Sequence, residues 1–170
     1  MSHNAINVLF VCTHNSIRSI LAEAILNHIG RGKFKAYSAG SCPSFNQQPN
    51  PLGLQVLKNS GIAIDGLRSK LWDVFGRMDA PRMDLVITLC DNAAGELGPY
   101  WPGQPATVHW GFLGPCTGDD MNAEGFRQTL KALKSRLELL ISLPSDRPEK
   151  TALQGRARDL ADAHACQLSA

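Results

Sequence analysis

The chain alternates short, unbroken apolar runs with longer stretches in which apolar residues return every three or four positions. Ile6-Asn7-Val8-Leu9-Phe10-Val11 is short, apolar and rich in β-branched residues up to Cys12, and predicts a buried strand. After the polar loop Thr13-His14-Asn15-Ser16 the period changes. Ile17, Ile20, Leu21, Ala24, Ile25 and Ile29 fall at helical spacing until Gly30 and Gly32 supply the stop. Phe34 to Tyr37 reads as a weaker strand, followed by a loop from Ser38 to Asn50 whose Gly and Pro residues forbid regular structure. Pro51 suits the first turn of a helix running to Asn59 and closed by Gly61. Leu85-Val86-Ile87-Thr88-Leu89 predicts a second buried strand ending at Cys90-Asp91, and Ala106-Thr107-Val108-His109-Trp110 a shorter fourth. Phe126, Leu130, Leu133, Leu137 and Leu140 then form one apolar helical stripe that should pack on the sheet. From Pro144 onward the apolar pattern thins, and Arg156 to Leu168 reads either as an extra helix or as a loose tail.

Strands alternating with helices imply an α/β fold, a three-layer α/β/α sandwich around a four-stranded parallel sheet. In such sheets ligands bind beyond the carboxyl ends of the strands, where Cys12, Cys90 and Trp110 all fall. A length of 170 residues fits one domain. Charged residues make up 19% with a net charge of +2, and Lys and Arg are dispersed, so no nucleic-acid stripe is expected. No apolar run is long enough to span a bilayer, and Met1-Ser2-His3-Asn4 lacks the basic and apolar regions of a signal peptide, which predicts a cytoplasmic protein without membrane contact. Five cysteines, Cys12, Cys42, Cys90, Cys116 and Cys166, include no C-x-x-C pair, against a zinc ribbon or a disulfide scaffold. Free thiols in a reducing compartment either pack inertly or react.

Cys12 and Arg18 form a C-x5-R spacing, of which about 0.3 are expected by chance in a chain of this composition. Its context is more specific than its spacing. The pair opens directly after a buried strand and closes on a helix N-terminus, so the loop amides and the helix dipole converge where a tetrahedral oxyanion would sit. The same field and the Arg18 guanidinium favour thiolate over thiol at Cys12, making it a nucleophile. Arg18 can grip two oxygens bidentately, which Lys cannot. Ser19 is placed to donate to the Cys12 sulfur, and Asn15 to hold the loop by side-chain to backbone bonds. The alternative of a buried Cys and a surface Arg fits this context less well. Cys12-x-His14 lacks partners spaced for a metal, so no metal site is expected. His109 reads as a satisfied loop or core histidine, with a catalytic base as the minor option. Trp72, Trp101 and Trp110 read as core and pocket wall.

The segments Val8 to Ser19, Leu21-Ala22-Glu23-Ala24, Ser38-Ala39-Gly40, Gly66 to Lys70 and Val86 to Asp91 together resemble the low-molecular-weight protein tyrosine phosphatase superfamily. Cys90 to Glu96, Trp101-Pro102-Gly103 and His109-Trp110-Gly111 are similar to its arsenate reductase branch. The resemblance spans about Asn7 to Leu140. It implies a phosphatase-like catalytic domain over residues 1–143, with 144–170 as a C-terminal extension. It further implies that Cys12 is the nucleophile and that Arg18 and the loop Thr13, His14, Asn15, Ser16 and Ile17 bind arsenate, phosphate, sulfate or phosphotyrosine. Ser19 would tune the thiolate and Cys90 would be a redox cysteine. No bound cofactor is implied, only an external thiol reductant such as glutathione with glutaredoxin, or thioredoxin.

Two positions depart from the family pattern. Its second redox cysteine is replaced here by Leu97-Gly98-Pro99, so a Cys12–Cys90 disulfide or a small-thiol and glutaredoxin route fits better than an internal three-cysteine relay. Cys42, Cys116 or Cys166 could substitute only where the fold brings one close. The family's general-acid Asp-Pro is replaced by Gly114-Pro115, which leaves Asp119 and Asp120 as candidate acids or, more simply, as partners of a helix dipole. Reductase, tyrosine or aryl phosphatase, and weakened oxyanion binder are therefore the three readings.

Overall fold

A computed structural model describes residues 5–90, 95, 98, 99, 101–111, 122–142 and 150–168. Its element order is β1 (Ile6–Cys12), α1 (Arg18–Ile29), β2 (Phe34–Gly40), α2 (Pro51–Asn59), a single 3-10 turn (Trp72–Gly76), β3 (Leu85–Thr88), β4 (Ala106–His109), α3 (Ala123–Ile141) and α4 (Lys150–Leu168). The sheet is four-stranded in the order β2-β1-β3-β4, and all three pairings are parallel. Cys12 lies opposite Gly40, Val11 opposite Thr88, and Thr88 opposite His109. The chain moves from β1 to one side for β2 and then to the other for β3. The crevice between β1 and β3 is thus the point where the strand order reverses, where α/β sheets bind ligands.

The apolar runs explain the central layer. Val8, Leu9, Phe10 and Val11 are fully buried, as are Leu85 and Ile87, so side chains pointing to both faces of β1 and β3 are covered. Helix α1 is buried along Ile20, Leu21, Ala24 and Ile25 and packs on β1, β2 and α3. Gly53 of α2 lets the Phe126 ring of α3 approach to where a methyl group would stand 3.4 Å away. The helix starts follow the expected chemistry. Asn50 Oδ1 accepts from Leu52 N at 2.9 Å with Pro51 in the first turn, and Asn122 Oδ1 accepts from Gly125 N at 2.8 Å.

Both sheet edges are blunted by side-chain amides. Asn27 of α1 donates to Ala36 O at 3.1 Å and accepts from Ala36 N at 2.8 Å on β2, while Gln154 of α4 donates to Thr107 O at 3.3 Å on β4. One element differs from the sequence-based expectation. Strand β2 runs on through Ser38–Gly40 where a loop was expected, because the ladder with β1 extends to Cys12↔Gly40. Of the extra helix and the loose tail that the sequence left open, the segment from Lys150 is the helix: Leu153 and Ala157 are buried, and Trp110 Nε1 donates to Ala157 O at 2.8 Å. On its other side Trp110 carries the Arg136 guanidinium 5.3 Å from the ring, and burial pulls that guanidinium down to about 10. No described helix is long and apolar enough to cross a membrane.

Candidate active site

Strand β1 delivers Cys12 at its carboxyl end, and the chain then turns through Thr13–Ile17 into α1. The turn is built around Asn15, which is fully buried and holds a left-handed φ of 52°. Asn is among the few non-glycine residues that tolerate this region. Its side chain donates through Nδ2 to Ser19 Oγ at 2.8 Å, and its Oδ1 accepts from Lys70 N at 2.8 Å. Its carbonyl accepts from Ser69 Oγ at 2.6 Å. The 69–70 segment therefore clamps the loop from outside, a role the sequence pattern did not disclose because the contact spans more than fifty positions.

The same residue sets the surroundings of the sulfur. Asn15 N donates to Cys12 Sγ at 3.3 Å, and Ser19 Oγ lies 2.9 Å from it. Ser19 Oγ also accepts from Asn15 Nδ2, which fixes the hydroxyl beside the sulfur, where it can donate to a Cys12 thiolate. Helix α1 starts at Arg18 with no side-chain cap from Ile17. The positive end of its dipole thus lies at the loop. Gly40 is packed so tightly that an added Cβ would stand 2.7 Å from Thr13 O and 3.1 Å from the His14 carbonyl carbon. Only glycine lets β2 pass behind the turn.

Cys90 follows β3 and is buried, with its Sγ 3.1 Å from Thr13 Oγ1. Cys42 is exposed beyond β2; its N–H donates to Thr13 O at 2.9 Å, and its carbonyl is 3.2 Å from His14 Nδ1. All three cysteines with described side chains are free and border this loop. Ser16 O accepts from Asn50 N at 2.9 Å, tying in the 44–51 loop. That loop and Ser16 line an open depression of about 360 Å³ beside the exposed Phe45. His109 Nδ1 is 2.8 Å from Thr88 Oγ1 at the exposed end of β4. Trp72 and Trp101 pack edge to face at 6.2 Å. Cys116, Asp119 and Asp120 lie outside the described residues, as does the side chain of Cys166.

Behind the loop, Ser38 Oγ donates to Glu23 Oε2 at 2.8 Å. Burial pushes the Glu23 carboxyl above the usual carboxylate range, opposed by Lys70, the Ser38 hydrogen bond and Arg68. Burial likewise pulls the Lys70 ammonium down, with Glu23 holding it up and Arg68 adding to the fall. Among the described residues, no three His, Cys, Asp or Glu side chains converge as a metal site would need.

The sequence pattern of the family described as Low molecular weight phosphotyrosine protein phosphatase matches residues 7–151. The chain belongs to this family. Among low molecular weight phosphatase relatives, the glutaredoxin arsenate reductase of Synechocystis sp. (strain ATCC 27184 / PCC 6803 / Kazusa) is 32% identical over 135 residues, covering 79% of this chain and 95% of the relative. A solved arsenate reductase in the phosphate-binding state superposes with a TM-score of 0.65 at 32% identity, covering 81% of this chain and 97% of that one. A low molecular weight protein tyrosine phosphatase from T. tengcongensis does so with a TM-score of 0.64 at 26% identity, covering 81% and 99%.

Proposed function

We propose that the chain is a thiol-dependent arsenate reductase built on the phosphatase fold. The observation that carries this reading is a second buried thiol at the loop: Cys90 Sγ stands 3.1 Å from the Thr13 hydroxyl. Hydrolysis of a phosphate ester needs one nucleophile, whereas reduction of arsenate needs two electrons and hence two thiols. Arg18 and the loop amides of Thr13 to Ile17 hold the oxyanion. The Cys12 thiolate attacks arsenic and displaces an oxygen, which leaves as water after protonation. Cys90, as thiolate, then attacks Cys12 Sγ; the sulfur–arsenic bond breaks, its electron pair reduces arsenic to arsenite, and a Cys12–Cys90 disulfide remains. An external thiol returns the pair to the reduced state, and glutathione with glutaredoxin is the reductant the printed name of the Synechocystis relative favours. A cycle that starts from free thiols suits a reducing compartment, the cytoplasm. In this reading residues 1–143 carry the chemistry and 144–170 are an accessory extension. Hydrolysis of an aryl phosphate is the second reading, favoured by the superposition on a tyrosine phosphatase.

Arsenite release from arsenate, measured with glutathione and glutaredoxin, is expected to be abolished in Cys12→Ser and strongly reduced in Cys90→Ser. Turnover of p-nitrophenyl phosphate without thiols, alongside no arsenite release, would overturn the reductase in favour of the phosphatase. Binding of phosphate with neither activity would leave an oxyanion binder.

A further inference from the structure

The main chain of Lys70 is gripped on both sides by the walls of the site. Its N–H donates to Asn15 Oδ1 at 2.8 Å, and its carbonyl accepts from Gly40 N at 2.7 Å. The preceding Ser69 Oγ donates to Asn15 O at 2.6 Å. The Lys70 side chain turns back on the same segment, Nζ donating to Arg68 O at 2.8 Å, so the ammonium closes the 68–70 turn that presents these donors. Lys70 is half-buried, and a neutral residue would supply the same main-chain bonds without the cost of covering a charge. That charge has a counterpart. Glu23 lies four positions beyond Ser19 on α1, a spacing at which side chains share a face. Its Oε2 accepts from Ser38 Oγ at 2.8 Å, and Ser38 stands two residues before Gly40 on β2. Glu23 supports the Lys70 ammonium through space, whereas Arg68 opposes it as a like charge. Glu23 on α1 and Lys70 and Arg68 on the turn are thus the charged groups that act on one another here, and β2 contributes the uncharged Ser38. Three elements in contact with Asn15, namely α1, β2 and the 68–70 turn, meet at this pair.

We propose that Lys70 is a positioning residue for the nucleophile: its ammonium, balanced by the Glu23 carboxylate, holds the 68–70 turn against Asn15 and so keeps Ser19 beside Cys12 Sγ. This rests on Cys12 being the nucleophile, which the reductase and phosphatase readings share. The route is continuous, from Lys70 N to Asn15 Oδ1, from Asn15 Nδ2 to Ser19 Oγ at 2.8 Å, and from Ser19 Oγ to Cys12 Sγ at 2.9 Å. A side-chain amide held at both ends cannot turn without giving up one of its bonds. Acid upsets the balance from the Glu23 side. Burial places its proton uptake above the ordinary 4.5, and once Glu23 is neutral the ammonium is left facing the like charge of Arg68. The turn then slackens against Asn15, and a Cys12 thiolate loses part of its support. Cys12 reactivity therefore falls with two protons as pH drops, its own and that of Glu23.

The experiment follows alkylation of the reduced full-length protein by iodoacetamide from about pH 4.5 to 8, a range that spans both ionisations. Rates at Cys12, Cys42 and Cys90 are read separately by mass spectrometry, with the exposed Cys42 as internal reference. A single ionisation gives a slope of about one decade per pH unit. Wild-type Cys12 is expected to fall more steeply than that on the acid side, and Glu23→Gln and Lys70→Met to return to the single-proton slope. At neutral pH, Lys70→Met should react about three- to tenfold more slowly at Cys12, less than the loss of a direct hydrogen bond to a charge gives. Lys70→Arg restores a cation and should recover the steep limb and the neutral-pH rate to within about twofold. The double variant should be no slower than Lys70→Met, since the two groups act as a unit. His14, with Nδ1 3.2 Å from Cys42 O, is the same in every variant, so a limb of its own is common to all of them. A single-proton slope in the wild type, or equal Cys12 rates in wild type and Lys70→Met, overturns the proposal. So does faster alkylation of the buried Cys90 in Lys70→Met with no recovery in Lys70→Arg, the mark of general loosening. These rates are read without arsenate, so their failure leaves the reductase reading standing, and an absence of arsenite in turnover leaves this proposal standing.

Discussion

Asn15 holds the site together through four hydrogen bonds made by one fully buried residue, to Cys12, Ser19, Ser69 and Lys70. Asn15→Asp keeps the tolerance for positive φ and the acceptor for Lys70 N, but turns the Ser19 contact from donor to acceptor. Asn15→Ala loses both side-chain bonds and strains the left-handed backbone. The alanine variant should therefore lose about 2–4 kcal/mol in urea unfolding. The aspartate variant should lose less stability while its Cys12 alkylates at least about tenfold more slowly with iodoacetamide, because a carboxylate and a redirected hydroxyl both disfavour the thiolate. Equal alkylation rates in wild type and Asn15→Asp would show that the Ser19 proton does not serve the sulfur. Behind the loop, Glu23 makes a prediction of opposite sign to most carboxylates. Its folded-state value lies above the ordinary 4.5, so as pH rises the unfolded chain gives up this proton first. Its contribution to stability accordingly falls as pH climbs from about 4.5 to the folded value, by at most about 1.4 kcal/mol per pH unit. The stability difference between wild type and Glu23→Gln, from denaturant titrations at several pH values, should be most in favour of wild type near pH 4.5 and shrink upward. A difference that grows with pH would mean that attraction to Lys70 outweighs burial.

At the scale of elements, α4 is tied to the β4 edge by polar contacts beside an apolar seam, Gln154 to Thr107 O and the Trp110 indole just past β4. Trp110 Nε1 donates to Ala157 O, and the same ring carries Arg136. Trp110→Phe keeps an aromatic surface but removes the indole donor to the Ala157 carbonyl and weakens the cation–π contact, for a loss of about 0.5–1.5 kcal/mol in chemical denaturation. Unchanged stability would mean that α4 docks without help from the Trp110 indole. The strands β1, β3 and β4, and helices α1, α2 and α3, were legible because each is a continuous apolar run or an apolar stripe. The end of β2 was missed and α4 was left open, for identifiable reasons. Ser38-Ala39-Gly40 looks like a turn, yet its polar and small residues are dictated by what passes in front: Ser38 serves Glu23, and Gly40 clears the backbone of Thr13 and His14. Helix α4 has a weak apolar pattern because only a narrow face, marked by Leu153 and Ala157, needs covering. The turn between β1 and α1 was readable from the strand, polar loop and helical period around C-x5-R. Its clamp at Ser69 and Lys70 was not, since no local period links residues so far apart in sequence.

For the molecule as a whole, folding places the amino end of α1 directly after the turn that follows Cys12. The positive end of the α1 dipole lies at the turn after β1, whereas the unfolded chain offers no such field. An oxyanion that binds the folded form alone adds stability as RT ln(1 + [L]/Kd), about 2.7 kcal/mol at a hundredfold excess over Kd. Phosphate, which does not oxidise the thiols, is the ligand to use. Its addition should raise the thermal midpoint of the wild type by several degrees, since in a domain of about this size 1 kcal/mol moves the midpoint roughly 2–4 °C. Chloride at matched ionic strength separates occupancy from screening and should do much less. Arg18→Lys keeps the charge but loses the planar fork, so most of the phosphate-specific rise should vanish while the chloride response stays as in the wild type. Gly40→Ala presses a methyl group onto the backbone of Thr13 and His14, and should lose the rise by distorting the turn with every charge retained. Equal rises in all three proteins would mean that phosphate acts elsewhere on the surface, and that the turn after β1 is not shaped for a tetrahedral anion.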